Sequence, residues 1–500
     1  MKHGDIQHGA RQYINGRWET SVTVGISENP SDTGEVVAEY SRADRAQTEL
    51  AIQAAACALP HWAHSTPQRR ADALDQIGSE ILARKSELGM LLAREEGKTL
   101  PEAIGEVTRA GQIFKFFAGE ALRVQGETMA SVRPGVQIDV TREPVGVVGL
   151  IAPWNFPFAI PAWKIAPALA YGNTVVFKPA ELVPACGWAL AEIISRCGLP
   201  AGAFNLVMGS GREVGQTLVD STLVNALSFT GSVATGERIL QGTAARRAKV
   251  QLEMGGKNPL VVLADADLET AVECALQGSF FSTGQRCTAS SRVIVEDAIH
   301  DRFVAALAER AKGLKVGPAL AEGTQVGPAS SESQFEQNMS YVGIATGEGG
   351  RLAAGGDRLD LDTPGYFMQP TVIADTNPDM RINCEEVFGP VVSTIRAKDY
   401  AEALDLANEV IGNDFLSRLN SDLREEKGWT YGISSSLFQV RGPRGFIVLT
   451  PVQTDRTADS IKLIEQDMKA FPATKGVDPV ELQRVTEGNI RNLPNRFETN

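Results

Sequence analysis

From Val145 onward, short apolar runs recur at regular intervals with helical stretches between them, and few folds accommodate that pattern. The runs are Val145-Gly146-Val147-Val148-Gly149-Leu150-Ile151, Thr174-Val175-Val176-Phe177, Phe204-Asn205-Leu206-Val207-Met208 and Ala226-Leu227-Ser228-Phe229. They read as strands buried on both faces, and the stretches 162–169 and 186–197 as helices between them. Such alternation implies a parallel sheet covered on both sides by helices. A second α/β series starts near Pro259-Leu260-Val261-Val262-Leu263 and runs through a helix over 268–277, a strand over 292–295 and a helix over 301–314. Residues 315–365 read as loops with one helix, and 371–373 and 391–395 as further strands.

Ahead of the first series, 43–119 is helical in pattern, and 11–40 reads as short strands joined by turns at Asn15-Gly16 and Asn29-Pro30. Residues 124–144 read as a β-hairpin broken at Arg133-Pro134-Gly135. Within it, Val136, Ile138 and Val140 alternate as in a half-buried strand.

Five hundred residues suffice for two or three domains with real cores. A net charge of −13 argues against nucleic acid or an anionic membrane as the main partner. Cys57, Cys186, Cys197, Cys274, Cys287 and Cys384 form no CxxC pair, so they read as reduced thiols rather than a disulfide frame or a zinc site. The first residues carry no apolar core of a signal peptide, and the longest apolar stretch, 159–177, is broken by Lys164 and Asn173. A cytoplasmic protein is expected.

Chemistry concentrates at a few points. Ser282-Thr283-Gly284-Gln285-Arg286-Cys287-Thr288 offers a thiol among small neighbours, and Glu253 lies about thirty residues upstream, before Gly255-Gly256. A thiol with a separate base fits covalent catalysis, although a lone Cys is as a rule a small buried hydrophobe. Gly209–Gly215 and Phe229–Gly236 are Gly-rich turns after strands; neither matches GxGxxG, and each alone reads first as a plain turn. Lys178 and Glu181 follow a strand at the end where α/β sheets bind ligands. Asn155, in Pro153-Trp154-Asn155-Phe156-Pro157, either aims its amide at an oxyanion or makes an Asx-turn.

Taken together these segments are far more specific. PWNFP, VVFKPAE, FTGSVATG, LEMGGKNP, GQRC and EEVFGP occur in that order, and over about residues 11–408 the chain resembles the NAD(P)-dependent aldehyde dehydrogenase superfamily. Residues 153–184 look most like the branch acting on α-ketoglutaric semialdehyde (2,5-dioxopentanoate) and succinic semialdehyde. The resemblance implies an α/β fold with two Rossmann-type parallel-sheet domains. The NAD-binding domain would cover 11–123 and 145–253, an oligomerisation-type hairpin 124–144, and the catalytic domain 254–408. It makes Cys287 the nucleophile, Glu253 the base for deacylation, with a pKa raised by burial, and Asn155 the oxyanion donor. It places cofactor contacts at Trp154, Lys178, Glu181, Gly211, Gly215, Phe229, Gly231, Ser232, Gly255, Glu386 and Phe388. Glu181 should repel a 2′-phosphate, which favours NAD while leaving NADP open. Arg286 and Arg109 are the candidates for a substrate carboxylate.

After Leu406-Ala407-Asn408 the continuation changes character. Residues 409–500, with Arg424, Tyr431, Arg441-Gly442-Pro443-Arg444 and Leu493-Pro494-Asn495-Arg496-Phe497, resemble the pitrilysin-type (insulinase-like) peptidases. The zinc motif HxxEH is absent and all five histidines lie at or before His300, so no metal site is expected. Residues 446–449 read as a strand and 457–468 as an amphipathic helix. The expectation is a chimera: an aldehyde dehydrogenase without its usual C-terminal part, ending in an α+β peptidase-like fragment. Homo-oligomers are open to it, although the usual C-terminal interface is replaced. Two other readings stand beside it, an inactive chimera that binds dinucleotide and a non-catalytic peptide-binding protein using Arg424 and Tyr431.

Overall fold

The computed structural model describes residues 9–399, 402–403, 434–437, 446–450 and 457–473; Arg424, Tyr431 and residues 441–444 and 493–500 lie outside the described residues. The chain forms two compact units, one of Met1–Met254, Gly317–Ser331 and Asp360–Tyr366, the other of Gly255–Val316, Glu332–Leu359 and Phe367–Asn500.

The first unit opens with β1 (Gln12–Ile14) and β2 (Arg17–Glu19), joined by Asn15 and Gly16 at φ 49° and 77°. Positive φ at both turn residues is the geometry an Asn-Gly pair favours in a tight hairpin. An antiparallel pair follows, β3 (Thr23–Asn29) and β4 (Asp32–Arg42). Four helices come next: α1 (Arg45–Ala63), α2 (Pro67–Ala83), α3 (Lys85–Glu96) and α4 (Leu100–Ala121). Asp44 caps α1 by accepting the Gln47 N–H, and Thr66 caps α2 in the same way through Arg69. The hairpin β5 (Glu127–Ala130) and β6 (Gln137–Val140) forms as expected, but its residues are exposed on both faces, Val136, Ile138 and Val140 included. The alternation there does not mark a half-buried strand, because among the described residues β5 and β6 pair only with each other.

The remaining elements of this unit are β7 (Val147–Ile151), α5 (Ala159–Ala170), β8 (Thr174–Lys178), α6 (Pro184–Ser195), β9 (Phe204–Leu206), α7 (Gln216–Asp220), β10 (Val224–Gly231), α8 (Val233–Ala244) and β11 (Lys249–Met254). They build a seven-stranded sheet in the order β11-β10-β7-β8-β9-β1-β2, parallel from β11 to β9. Val175, Val176 and Phe177 are wholly buried, which explains why β8 shows no period of two. Each such side chain stabilises the fold by about 1.5–3 kcal/mol.

The second unit contains β12 (Asn258–Val262), α9 (Leu268–Phe280), β13 (Ser290–Glu296), α10 (Asp297–Lys312), α11 (Glu332–Gly347), β14 (Arg351–Ala354), β15 (Thr371–Thr376), α12 (Arg381–Cys384) and β16 (Val391–Ala397). Its five-stranded sheet runs β12-β13-β16-β15-β14, with β14 antiparallel. β14 lies in a stretch that reads as loop, because Arg351-Leu352-Ala353-Ala354 carries no strand-forming pattern. Among the described residues β12 pairs on one side only, and Leu260 and Val261 are half-buried there. Further on, β17 (Ser434–Leu437) pairs with β18 (Phe446–Leu449), and the expected helix spans Thr457–Ala473.

The turn between α3 and α4 depends on Gly97, which ends α3 at φ 98°. A β-carbon there would sit 2.8 Å from Pro328 Cγ and 2.9 Å from Pro30 Cγ. Gly97→Ala is expected to lower stability by about 1–3 kcal/mol, read as a fall in the urea midpoint of the far-UV circular dichroism transition.

Candidate functional site

Parallel strands deliver the loops that follow them to one rim of the sheet, and a ligand crevice opens where the strand order reverses. In the seven-stranded sheet that reversal lies between β7 and β10. Ile151 ending β7 is level with Lys178 of β8 and Phe229 of β10, and Thr230 of β10 with Glu253 of β11. Trp154 and Asn155, Lys178 and Glu181, Gly231 and Ser232, and Glu253 therefore leave the sheet along one edge.

Ser232 is the N-cap residue of α8, and its hydroxyl donates to Thr235 Oγ1 at 3.0 Å. The N-terminus of α8 presents backbone N–H groups and the positive end of its dipole, the requirement for a diphosphate. A β-carbon on Gly236 would lie 2.5 Å from Met254 Sδ, and one on Gly231 2.6 Å from the Phe229 ring, so glycine lets α8 close onto the sheet. These residues fit a dinucleotide. Gly211 and Gly215 begin and end a five-residue π-turn capped by Ser210, and nothing lies within 4 Å of a β-carbon at either, so no close approach requires glycine there.

Lys178 is 5% exposed and its ammonium donates to Pro179 O at 3.2 Å. Burial lowers its pKa to about 8, aided by Arg42 and opposed by Glu181. Glu181 itself pairs with Arg42 at 2.6 Å, so the carboxylate placed to repel a 2′-phosphate is partly neutralised.

Asn155 is buried, and Lys98 Nζ donates to its backbone oxygen at 2.6 Å. Glu253, expected to be buried, is exposed, because β11 is the outermost strand and alternates its residues outward. Its carboxylate accepts from Gln251 Nε2 at 2.8 Å. Sequence reasoning missed Lys164 on α5, which donates to Ser228 Oγ at 2.7 Å and to Gln251 Oε1 at 3.4 Å. Burial takes Lys164 down to about 8, against the opposing charge of Glu253. The available signal was a lone lysine interrupting an apolar helix.

In the second unit Cys287 is exposed, on a loop whose backbone is strained just upstream. Ser282, Thr283 and Gly284 follow one another at φ 49°, 57° and 67°, a left-handed run that costs the two non-glycine residues about 1–3 kcal/mol each. Two side chains hold that loop. Asn258 Nδ2 donates to the backbone oxygens of Cys287 at 2.6 Å and Ala289 at 3.2 Å. Arg286 donates to Phe281 O, Gln277 O and Gly278 O and stacks on the Phe281 ring. Arg286 is thus committed to the carbonyls ending α9 and is not placed as a substrate-carboxylate ligand.

The Glu386–Gly389 loop meets this one. A β-carbon on Gly284 would overlap Gly389 O, and one on Gly255 would overlap the Glu386 carboxylate. Phe388 sits at φ 61°, and the Gly256 N–H donates to Glu386 Oε1 at 3.3 Å. Burial raises Glu386 to about 7 despite Gly256 and Lys257. Lys257, wholly buried, falls to about 7 through burial and the neighbouring Arg292, and its Nζ has no hydrogen-bond partner among the described residues. Gly256, Gly284, Arg286, Glu386 and Phe388 line one small crevice. The described residues contain no cluster of metal ligands and no helix long and apolar enough to cross a membrane.

Comparison with known proteins adds the following. Residues 19–412 match the aldehyde dehydrogenase family, and residues 388–489 match the peptidase M16 inactive domain. The α-ketoglutarate semialdehyde dehydrogenase of Haloferax volcanii is 42% identical over 405 residues, 80% of this chain and 84% of that protein. The α-ketoglutaric semialdehyde dehydrogenase of Bacillus subtilis is 43% identical over 403 residues, 80% of this chain and 82% of that protein. Betaine aldehyde dehydrogenase from Staphylococcus aureus, solved in complex with NAD+, superposes with a TM-score of 0.80 at 37% identity, covering 82% of each chain.

The depressed pKa of Lys178 sets a testable pH dependence. Dinucleotide affinity is expected to fall as pH rises through about 8, where the ammonium loses its proton, well below the ordinary lysine value of 10.5. Calorimetric titration across that range should show the step in the wild type and a flat profile in Lys178→Gln.

Proposed function

The chain belongs to the aldehyde dehydrogenase family, and from that premise we propose α-ketoglutaric semialdehyde as its substrate, with succinic semialdehyde the nearest alternative. The reaction of the family is the NAD(P)-dependent oxidation of an aldehyde to a carboxylate. The first unit is read as the dinucleotide domain, with the N-terminus of α8 taking the diphosphate and Lys178 and Glu181 the adenosine ribose. The second is read as the catalytic domain, with Glu386 and Phe388 at the nicotinamide ribose.

The observation that carries the reading is an exposed thiol on a loop fixed from two sides, by Asn258 and by Arg286. A nucleophile so held attacks along one direction with little reorganisation. The Cys287 thiolate adds to the aldehyde carbon, and the Asn155 amide donates to the oxyanion of the thiohemiacetal. NAD, when bound, would supply the hydride acceptor, and Cys287 would then hold the acyl group as a thioester. Glu253 takes a proton from water, the hydroxide adds to the thioester, and the carboxylate leaves as the thiol is restored. An exposed carboxylate suits this last role because water must reach it.

Arg109, on α4, is exposed with its guanidinium 5.6 Å from the centre of the Trp163 ring, and among the described residues no carboxylate pairs with it. That supports Arg109 as the partner of the substrate's distal carboxylate. The exposed β5–β6 hairpin is read as a self-association element.

Mixing the protein with NAD and either semialdehyde should raise NADH absorbance, and Cys287→Ala should abolish it while leaving NAD binding intact. Full activity in that variant refutes the nucleophile. Glu253→Gln should give one burst of NADH and then stall; equal loss of both phases removes Glu253 as the base. Arg109→Met should raise KM for the semialdehyde about tenfold or more and leave a neutral aldehyde unaffected.

A further inference from the structure

The turn that carries Asn155 rests on an ion pair in the core of the first unit. Lys98 and Glu106 side chains are each 1% exposed, with Lys98 Nζ 2.7 Å from Glu106 Oε2. The same ammonium donates to Asn155 O at 2.6 Å and lies 3.8 Å from the centre of the Phe156 ring. The other oxygen of Glu106 accepts the N–H groups of Phe158, at 2.8 Å, and Ala159, at 3.1 Å, the first donors of α5. One pair thus grips the turn at Asn155, through its own carbonyl, and again where the helix begins, through the amides of Phe158 and Ala159.

We propose that Lys98 and Glu106 are positioning residues that aim the Asn155 amide at the reacting carbonyl; this rests on the reading of Asn155 as oxyanion donor. A buried ion pair is no better for stability than apolar packing of equal volume, so its presence is explained by what it holds. Burial disfavours the Lys98 charge, yet Glu106 and Glu96 together hold its pKa above the ordinary value, while burial raises Glu96 to about 8. The backbone of a two-proline turn fixes where the Asn155 side chain starts, so a shift in its anchors swings the amide. Misplacement of a catalytic group by about 1 Å costs on the order of 100-fold in rate.

Glu95 provides the internal control. It is equally buried and also accepts two helix N–H groups, those of Ala185 and Cys186, but these open α6 rather than the Asn155 turn.

The test is a double-mutant cycle on the full chain, read in two ways. One readout is NADH formation from the semialdehyde. The other is the burst of p-nitrophenolate as Cys287 is acylated by p-nitrophenyl acetate, which needs an oxyanion donor and no dinucleotide. Glu106→Gln is expected to slow acylation about 10- to 100-fold and leave the Kd for NAD within about twofold. In an Asn155→Ala background the same change is expected to cost less than about twofold, since the group it aims is gone. Glu95→Gln should lower the melting temperature without slowing acylation. The proposal is overturned if Glu106→Gln slows both backgrounds equally, or if Glu95→Gln slows acylation as much, since either marks a general loss of structure. A silent Asn155→Ala instead removes the oxyanion reading, and the proposal with it. Should Glu106→Gln fail to fold, Lys98→Arg, which keeps the charge and moves the donor, decides the question by the same cycle.

Discussion

Parallel pairing in the first unit is the constraint on which the rest depends. Each of β7, β8, β10 and β11 must hand the chain to a connection at the same rim, because the next parallel strand starts from the opposite end. The strand interiors have no capacity for chemistry: Val175, Val176 and Phe177 are wholly buried, and Val147 and Leu150 nearly so. The candidate polar residues lie at the last positions of the strands, as Lys178 and Glu253 do, or just after them, as Asn155, Glu181 and Ser232 do. A rigid sheet also makes exact aim possible, since a loop inherits the precision of the strand that launches it.

What the sequence disclosed follows from the same constraint. Apolar runs without alternation, the Asn15-Gly16 turn and the caps Asp44 and Thr66 are local signals, and the elements they mark were legible. Burial was less legible, because it depends on neighbours the pattern does not name. The alternation of Val136, Ile138 and Val140 is that of a covered strand, yet among the described residues β6 has only β5 beside it. Glu253 reads as a buried base, yet β11 is outermost and presents it to solvent. Arg286 neighbours Cys287 in sequence and spends its donors on the carbonyls of α9. The ion pair of Lys98 and Glu106 left no sequence signal at all, since a lysine and a glutamate eight residues apart on a helical stretch ordinarily face water.

Strain and support are arranged differently in the two units. In the second, the left-handed residues Ser282 and Thr283 are held by neighbouring loops, with Gly284 against Gly389 and Asn258 clamping Cys287 O. In the first, the Asn155 turn is held from the core by charge. A hydrogen bond to a charged group is roughly twice as strong as a neutral one, and it keeps its geometry where water cannot compete. Each unit therefore fixes its candidate reactive group by a different physical means.

The place of β16 in the second sheet bears on the change of character in the tail. The two family matches overlap over residues 388–412, which include β16. β16 lies inside the five-stranded sheet, between β13 and β15, so the overlap contains the last strand that the interior of this sheet requires. The hydrogen bonds described for Cys287 through Asn258 and Arg286, and for Asn155 through Lys98, are made by residues before that strand. At the edge of the same sheet, β12 is paired on one side only among the described residues. An edge strand with half-buried Leu260 and Val261 asks to be covered. The described contacts that hold Cys287 and Asn155 thus lie within the part of the chain that the aldehyde dehydrogenase match encloses.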